Sequence, residues 1–399
     1  QMMWVEKYGV FTSVKKVKTN LLIAGGGLAS CLLAYRIKLL LPDFDFLIVE
    51  RNHQLGGNHN WSFHTTDINN SQFEWLSPLI SYRWNDHDVV FPNHSRTIKR
   101  GYNTIASVDM HEKLTPIIGS HVLFNRSIKS LTNKEAQLND GTLIEANIVI
   151  NAMGHSPNKD IAIAYQKFLG IEIELNEPHN LQRPILMDAT VNQQDGYRFI
   201  YTLPFDTRKL LVEDTRYSDN ILINEDEYLV EIKKYIVSKG WGNYKIINRE
   251  KGALPIILNG NYSSFIDKEI GMIGMKGLLC HPTTGYSIPH AVQLAELITD
   301  ELSNKGNDVT QKIKQYSIHS WKRDEFFRIL NRMLFWACKP LDRYKIFQRF
   351  YALPESLIAK FYSREYSFLE KLKMLIGMMD GFKPPVKITS ALKAMYRNE

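Results

Sequence analysis

The sequence is poor in cysteine and lacks any apolar run long enough to cross a bilayer. Its three cysteines, Cys31, Cys280 and Cys338, lie far apart among 399 residues and do not have metal-ligand spacing. This pattern argues against a disulfide framework and a metal site, and it indicates a reducing compartment. The apolar segment 21–37 follows three lysines, like a signal peptide or a short membrane helix. It is shorter than the roughly 20 residues that a span needs, and three consecutive glycines interrupt it, so we expect no membrane span.

Excess positive charge is missing from most of the chain. The first 318 residues hold 33 Lys and Arg against 34 Asp and Glu, whereas the last 81 hold 16 against 8, so the net charge of +7 belongs to the C-terminal fifth. This end is either a solvated helical surface or a region attracted to an anionic membrane or a nucleic acid. The hydrophobic fraction of 44% permits a large core and argues against disorder.

Local patterns predict strands and helices along the chain. Segment 20–24 predicts an apolar strand, Leu28–Leu40 a helix and 44–49 a second strand, which together form a β-α-β unit of mononucleotide-binding size. Later segments predict a buried strand at Leu143–Asn151, a hairpin from 196–203 and 209–217, a late strand at 270–279 and a helix at 288–302. Helices dominate from 308 onward, with breaks at Pro340, Pro354 and Pro384-Pro385.

The glycine turn of the β-α-β unit carries the pattern Gly25-x-Gly27-x-x-Ser30. Gly25 permits the tight turn, and Gly27 lets the backbone approach a pyrophosphate at the helix N-terminus. The third position normally holds Gly or Ala, so Ser30 is a small departure. Glu50 closes the second strand and can accept hydrogen bonds from ribose hydroxyls. The alternative is a plain glycine turn with a surface glutamate.

Two further features favour FAD over NAD. Gly56-Gly57-Asn58 follows the ribose acid, where many FAD-dependent enzymes place a Gly-Gly pair. The turn from Pro282 to Gly285 precedes a helix whose N-terminus can offer N–H groups and a positive dipole to a flavin ring. The candidate cofactor contacts are therefore Gly25, Gly27, Ser30, Glu50, Gly57, Asn58, Gly154, Pro282, Gly285 and Tyr286.

These patterns predict an α/β protein with a Rossmann-type FAD-binding domain, an antiparallel-sheet substrate domain and a helical C-terminal region. We expect a discontinuous FAD domain at 20–65, 100–160 and 268–305. The substrate domain is expected at 66–99 and 161–267, and the helical region at 306–399. Residues 1–19 are expected to be an N-terminal extension, to which we assign no role.

Seven segments, in order along the chain, resemble the bacterial lycopene β-cyclases. The resemblance runs from about residue 20 to about 395, and its motifs are too long for a chance match. The segments are Gly-Gly-Asn-His-Asn-Trp-Ser-Phe-His (56–64), Met-Asp-Ala-Thr-Val (187–191), Gly-Tyr-Arg-Phe (196–199), Leu-Val-Glu-Asp-Thr-Arg-Tyr (211–217), Gly-Ala-Leu-Pro-Ile (252–256), His-Pro-Thr-Thr-Gly-Tyr-Ser (281–287) and Arg-Ile-Leu-Asn-Arg-Met-Leu-Phe (328–335).

The resemblance implies a reaction. Each ψ end of lycopene, an acyclic C40 polyene, would close into a β-ionone ring, giving β-carotene by way of γ-carotene. Substrate and product are isomers, so there is no net redox change. The family nevertheless uses FAD in its reduced form, with NADPH as the implied electron donor.

Two carboxyl groups, Glu213 and Asp214, are the candidates for the proton chemistry. An alkene is a weak base, so the acid must be neutral and held in a dry pocket, where burial raises a carboxyl pKa. Neighbouring strand residues point to opposite faces, so only one of the two would reach such a pocket. The resemblance gives the acid/base role to Glu213, while Asp214 would support it or pair with Arg216; alternatively, both are solvent-facing or salt-bridged. Candidate aromatic walls for a cationic intermediate are Trp61, Phe63, Tyr197, Phe199, Tyr201 and Tyr286.

Two other functions fit some of the same residues. A flavin monooxygenase or dehydrogenase acting on an apolar substrate would share the fold. A non-catalytic nucleotide-binding or nucleic-acid-binding protein would use the basic C-terminus. We expect no nucleic-acid partner.

The substrate implied by the resemblance is too apolar to travel through water. We therefore expect a cytoplasmic protein that binds peripherally at the inner face of the cell membrane. Segment 325–337 has apolar residues at helical spacing with arginines on another face, which suits a helix in the headgroup region. The alternative is a helix that packs its apolar stripe onto the protein's own core. The expected lipid-facing charges are Arg328, Arg332, Arg343, Lys345 and Arg349.

Overall fold

The computed structural model describes residues 15–304, 308–379 and 388–395. Most of the expected N-terminal extension and the break at Pro384-Pro385 lie outside these residues. The strands, numbered in chain order, are β1 (Lys16–Ala24), β2 (Phe46–Val49), β3 (Asn60–His64), β4 (Tyr82–Trp84), β5 (His87–Phe91), β6 (His94–Ile98), β7 (Tyr102–Ala106), β8 (Val122–Leu123), β9 (Ile128–Leu131), β10 (Glu135–Leu138), β11 (Leu143–Asn151), β12 (Ile161–Leu175), β13 (Ile185–Asp188), β14 (Tyr197–Pro204), β15 (Lys209–Ser218), β16 (Tyr244–Gly260) and β17 (Gly271–Met272). The helices are α1 (Leu28–Leu40), α2 (Asn70–Leu76), α3 (Ser107–Ile118), α4 (Glu225–Ser238), α5 (Tyr262–Phe265), α6 (Ile288–Ser303), α7 (Val309–Arg323), α8 (Glu325–Arg332), α9 (Arg343–Tyr351), α10 (Glu355–Ser363), α11 (Phe368–Met379) and α12 (Ile388–Met395).

The first sheet is built around the predicted β-α-β unit. Its order is β8-β2-β1-β11-β10-β9, and β1 runs parallel to both β2 and β11. Helix α1 and strand β11 have the predicted bounds. Strand β1 begins at Lys16, four residues earlier than predicted, because residues 16–19 pair with the start of β11. Buried apolar residues of α1 and α6 pack against this sheet and form the largest core.

The second sheet has the order β16-β12-β15-β14-β13-β5-β6, and most of its pairs are antiparallel. Strands β14 and β15 form the predicted hairpin, with Tyr201 opposite Glu213. Helix α4 covers one face of the sheet, and helices α8 to α10 cover the other. A small third sheet, β3-β7-β4, contributes Phe63 to the core of the first sheet and Tyr102 to that of the second.

The predicted late strand at 270–279 is wrong in its extent. Only Gly271 and Met272 pair with β11, and a 3-10 turn at Gly274–Gly277 follows. Gly274 at φ +60° and Leu278 at φ +54° adopt left-handed conformations, which a continuous strand does not allow. The helix predicted after this segment is observed as α6.

The C-terminal helices pack on the second sheet, which corrects the expectation of a lipid-facing helix at 325–337. That segment is α8 followed by a π-helical turn, Met333–Ala337. Its apolar stripe lies in the core, where Phe327 and Leu334 share a cluster with Phe199. The alternative, a helix that packs on the protein's own core, is the one observed.

Three of the five expected lipid-facing charges are buried, which is a second correction. Arg328, Arg332 and Arg343 are almost completely covered. Arg332 donates to the carbonyl of Leu258 at 2.9 Å, and Arg343 donates to the carbonyl of Tyr217 at 3.1 Å. These guanidinium groups therefore satisfy backbone acceptors where the helices meet the sheet. Among the residues that the structure describes, no helix is long and apolar enough to span a bilayer.

Candidate active site

The first sheet opens into a cavity of about 470 Å³, which we call the nucleotide cavity. It lies beyond the carboxyl ends of the parallel strands, where open α/β sheets bind their ligands. Residues that follow β1, β2 and β11 line it, at 25–30, 49–52 and 152–154. Three of the predicted cofactor contacts, Gly25, Gly57 and Gly154, line it at positive φ. The starts of α1 and α6 also face this space.

The glycine turn has room for a pyrophosphate. A Cβ built on Gly27 would meet no atom within 4 Å, so the missing side chain leaves open space at the N-terminus of α1. Gly25, at φ +101°, is needed for another reason, because a Cβ there would lie 2.7 Å from the carbonyl oxygen of Ala152. The buried Oγ of Ser30 has no hydrogen-bond partner among the described residues. A phosphate oxygen would satisfy this hydroxyl and the free N–H groups of the first helical turn.

Glu50 is buried in the wall of the nucleotide cavity and holds the glycine turn. Its Oε2 accepts the backbone N–H of Gly26 at 2.7 Å. Its Oε1 accepts the backbone N–H and the side-chain amide of Asn52, both at 2.8 Å. A carboxylate oxygen has two lone pairs, so Oε2 can still accept a hydrogen bond from a ribose hydroxyl, whereas Oε1 already accepts two.

The other four predicted cofactor contacts do not line the nucleotide cavity. Asn58 and Pro282 line neither this cavity nor the neighbouring one. The side-chain amide of Asn58 donates to the carbonyl of Arg249 in β16, and the carbonyl of Pro282 accepts the side-chain amide of Asn331. Gly285 and Tyr286 line a second cavity, described next.

The second cavity has a volume of about 290 Å³ and lies against the second sheet. Its walls are largely apolar and aromatic, and they include four of the predicted wall residues, Trp61, Phe199, Tyr201 and Tyr286. The other two, Phe63 and Tyr197, are packed in the apolar cores instead. The two cavities meet, because four residues line both of them: His59, Trp61, Met275 and Ser287.

Glu213 lines the second cavity from β15 and is buried. Burial raises the pKa of Glu213 to about 7, although a hydrogen bond from Thr215 opposes this rise. The Oγ1 of Thr215 donates to Glu213 Oε1 at 2.6 Å. A carboxyl group with this pKa can both give and take a proton near neutral pH.

Asp214, the next residue of β15, faces the opposite side of the sheet. Its Oδ2 lies 2.9 Å from Nε of Arg198 and 3.2 Å from Nη2 of Arg216. The alternative in which Asp214 pairs with Arg216 is therefore the one observed, and Arg198 is a second partner. Burial raises the pKa of Asp214, and the guanidinium groups of Arg198 and Arg216 oppose this rise on the side away from the second cavity.

Glu250 of β16 is a second carboxyl of this cavity, and it is not among the residues predicted from the sequence. The side chain is buried, and its Oε2 accepts the backbone N–H of Asn60 at 3.0 Å. Burial raises the pKa of Glu250 well above its usual value, and the nearby Glu213 raises it further. The only sequence signal was its place just before the segment 252–256. Its charged neighbours, Arg249 and Lys251, are typical of an exposed strand.

Hydroxyl groups pair with one another along one wall of the second cavity. The Oη atoms of Tyr286 and Tyr102 are 2.7 Å apart, and those of Tyr102 and Tyr201 are 3.0 Å apart. Tyr201 Oη lies 2.9 Å from Ser62 Oγ. Because these polar atoms satisfy each other, the wall can remain dry without leaving buried groups unpaired.

Comparisons with known proteins identify the family. The family model described as lycopene cyclase protein matches residues 20–392. This chain belongs to the lycopene cyclase family. The lycopene β-cyclase of Pantoea ananas is 38% identical over 377 residues, covering 94% of this chain and 97% of that protein. The lycopene β-cyclase of Paracoccus sp. is 36% identical over 380 residues, with coverage of 94% and 97%. The resemblance carried by the seven segments is thereby confirmed.

Solved structures confirm the fold class predicted for this lycopene cyclase family member. A geranylgeranyl bacteriochlorophyll reductase-like protein from Thermoplasma acidophilum aligns with a TM-score of 0.58 at 14% identity, over 95% of this chain and 96% of that one. The flavin-dependent monooxygenase PieE, solved with FAD and substrate, aligns with a TM-score of 0.58 at 13% identity, over 95% and 71%. The fold is thus that of FAD-dependent enzymes, with an α/β domain, an antiparallel sheet and C-terminal helices.

Proposed function

We propose that this chain is a lycopene β-cyclase, which closes the ψ ends of lycopene into β-ionone rings and gives β-carotene by way of γ-carotene. The observation that carries the proposal is Glu213, a carboxyl with a pKa of about 7 in an aromatic cavity next to the nucleotide cavity. Relatives named lycopene β-cyclases, at 36% and 38% identity, support the choice of substrate.

Glu213 carries the proton chemistry. Its carboxyl proton moves to the terminal double bond of the ψ end, so an O–H bond breaks and a C–H bond forms. The neighbouring double bond attacks the cation and closes the ring. The Glu213 carboxylate then takes a proton from the ring, and the electrons of that C–H bond become the ring double bond. The site returns to its starting state, with no net gain or loss of electrons.

The cavity walls favour the cation and exclude water. Aromatic ring faces carry negative potential, and Phe168, Phe199 and Tyr201 present such rings to the cavity. Water would otherwise add to the cation. The volume of about 290 Å³ is at the lower end of small-molecule sites, which begin at about 300 Å³. One end of the C40 chain would therefore enter at a time.

The proposal includes FAD as cofactor and NADPH as the electron donor. Gly27, Ser30 and the N-terminus of α1 would hold the pyrophosphate, and Glu50 would hold the ribose. When bound in its reduced form, FAD supplies negative charge and a π face beside the cation. The flavin ring would be contacted by the residues that line both cavities, His59, Trp61, Met275 and Ser287.

Pigment analysis of cells that make lycopene and express this chain tests the reaction. A cyclase yields β-carotene, whose mass equals that of lycopene. A flavin monooxygenase would instead yield a product heavier by oxygen and would consume NADPH stoichiometrically. We expect β-carotene of unchanged mass. An oxygenated product, or lycopene left intact by folded and flavin-loaded protein, would contradict the proposal.

Gly27→Val tests the cofactor site. The new side chain would occupy the open space at the start of α1, so the protein should purify folded but colourless. Gly242→Val is a matched control, because a Cβ at Gly242 also meets no atom within 4 Å but Gly242 does not line the nucleotide cavity. Stoichiometric flavin in Gly27→Val would show that the site is elsewhere.

A peripheral position at the cytoplasmic face of the membrane is also part of the proposal, since lycopene must be collected from a bilayer. Because three of the arginines first expected to face lipid are buried, we place the contact at the start of α11. Phe368 and Leu369 are 74% and 68% exposed there, beside exposed Leu372 and Lys373. Exposed apolar side chains next to a lysine suit an anionic headgroup region.

Flotation with anionic liposomes tests this contact. The triple substitution of Phe368, Leu369 and Leu372 by Ser should release the protein. Substitution of Leu222 and Val237 by Ser is the matched control, since both are 76% exposed at other places, and it should leave binding unchanged. Full retention of the triple variant on liposomes would disprove the contact.

A further inference from the structure

The second sheet brings Glu213 and Glu250 into one row. Strand β12 lies between β15 and β16, and its Gly170 pairs with Glu213 on one side and with Glu250 on the other. Residues that are directly opposite in neighbouring strands point to the same face of a sheet. Both carboxyl groups therefore reach the second cavity over the same residue.

Gly170 leaves the space in which these side chains meet. A Cβ on Gly170 would lie 3.3 Å from Cβ of Glu213 and 3.3 Å from Cγ of Glu250. Its φ is not in the left-handed region, so the backbone does not require glycine here. Glycine inside a strand is destabilising and often marks a close approach of other groups. Here the atoms that approach are Cδ1 of Leu211, at 3.0 Å, and the side-chain carbons of Glu213 and Glu250, whose carboxyl groups hydrogen-bond to each other.

We propose that Glu250 is a positioning residue of the reaction, which donates its carboxyl proton in a hydrogen bond to Glu213 and stabilises the carboxylate that Glu213 becomes. This inference rests on the proposed function. Two ionised carboxyls in contact repel each other, so the pair retains at least one proton. When the O–H bond of Glu213 breaks, the O–H bond of Glu250 remains and its hydrogen bond spreads the negative charge. Return of the ring proton to Glu213 restores the pair.

The other titratable groups around the pair do not stabilise the Glu213 carboxylate, so we assign this role to Glu250. Among the described residues, the titratable groups on the same face as the pair include Glu172 of β12, Tyr201 of β14 and His59, whereas Asp214 acts from the other face of β15. Asp214 raises the pKa of Glu213, Glu172 raises that of Glu250, and burial lowers the pKa of His59 and keeps it neutral. The contacts that lower the pKa of Glu213 are hydrogen bonds from Thr215 and Glu250.

The pH profile of cyclisation in three variants tests the inference. Glu250→Leu removes the donor, so the rate should fall about tenfold or more, as for loss of a hydrogen bond to a charged group. The alkaline limb of the pH profile should also move to higher pH, because the pKa of Glu213 rises when the hydrogen bond from Glu250 is lost. Glu250→Gln keeps an N–H donor and should restore most of the rate and the limb. Gly170→Ala keeps both carboxyl groups in the protein, but its Cβ displaces the side chains of Glu213 and Glu250. It should therefore resemble Glu250→Leu, and it serves as a second test if Glu250→Leu folds poorly.

Two outcomes would overturn the inference. One is an alkaline limb that stays in place in both Glu250→Leu and Gly170→Ala. The other is a Glu250→Gln variant as impaired as Glu250→Leu, which would mean that a donor at this position does not suffice.

Infrared spectra of the resting protein separate this inference from the proposed function. Above neutral pH the protein should show the C=O stretch of a buried protonated carboxyl. The band should vanish in Glu250→Gln and persist in Glu213→Gln. A band with this behaviour, without any conversion of lycopene, would support the pair and contradict only the function. Absence of the band would contradict the pair.

Discussion

The two faces of β15 place neighbouring carboxyl groups in different environments. On one face Glu213 meets aromatic rings and a second carboxyl, and its pKa rises to about 7. On the other face Asp214 meets Arg198 and Arg216. Burying a charge is costly unless a partner compensates, and only Asp214 has cationic partners. One strand thus carries a reactive carboxyl toward the cavity and a carboxyl paired with two arginines toward α4.

Glu213→Gln should have the largest effect and should lower activity without lowering stability. The amide keeps the shape but cannot deliver a proton, so cyclisation should fall by ~10²–10⁴-fold, the usual contribution of general acid–base catalysis. Bound flavin and the thermal midpoint should not fall. Glu174→Gln is a control, because Glu174 lies on the neighbouring strand β12 of the same sheet but pairs with Lys245 and does not line the cavity. Near-normal turnover of Glu213→Gln would move the acid/base role elsewhere.

Asp214→Asn should have the converse effect and act on stability. It leaves two buried arginines without their shared anion, and breaking a buried ion pair costs about 3–5 kcal/mol. Arg198 and Arg216 keep Glu231 and Glu227 as second partners, so we expect a loss of unfolding free energy at the lower end of this range. Denaturant unfolding measures the loss, and turnover per folded molecule should remain. If this variant is as stable as Glu213→Gln, the distinction between the two faces fails.

The pH dependence of stability should reveal the raised pKa of Glu213. Burial raises the pKa of Glu213 from 4.5 to about 7, so the folded protein favours the protonated form. The stability from this group is fully present below its unfolded pKa and is lost as pH rises through about 7. Glu213→Gln does not lose stability in this way, so its thermal midpoint should rise relative to that of the wild type as the pH increases from about 5 to 8. A constant difference over this range would contradict the raised pKa.

Thr215→Val should have the smallest effect and sharpens the account of the reactive face. It removes the hydrogen bond to Glu213, at a cost of about 0.5–1.5 kcal/mol. Because that bond lowers the pKa of Glu213, the alkaline limb of cyclisation should move to higher pH. A shift to lower pH would mean that Thr215 does not donate to the carboxylate.

The nucleotide-binding half could be predicted from the sequence because its parts are close along the chain. Helix α1 and strand β11 have the predicted bounds, and the Gly25–Ser30 turn lines the nucleotide cavity as expected. Glycines and a short apolar strand specify this geometry locally. The late strand at 270–279 failed, because no sequence pattern marked the left-handed turn at Leu278.

In the C-terminal region, the count of charged residues did not predict which of them are exposed. The excess of basic residues is real, but Arg328, Arg332 and Arg343 bind groups inside the protein. A backbone carbonyl as partner leaves no trace in composition, since every residue has one. The exposed apolar residues at the start of α11 became visible only when the packing of its neighbours was known.

The sequence by itself determined the family, the β-α-β unit and the presence of two adjacent carboxyls in an apolar strand, because each is written in consecutive residues. Only the tertiary structure decided that Glu213 faces the cavity, that Asp214 faces arginines and that Glu250 joins Glu213 across Gly170. The alternation of side chains along a strand predicts that neighbouring residues point to opposite faces. It does not predict which face lines a dry cavity. That depends on the strands and helices packed on each side, which are distant in the chain.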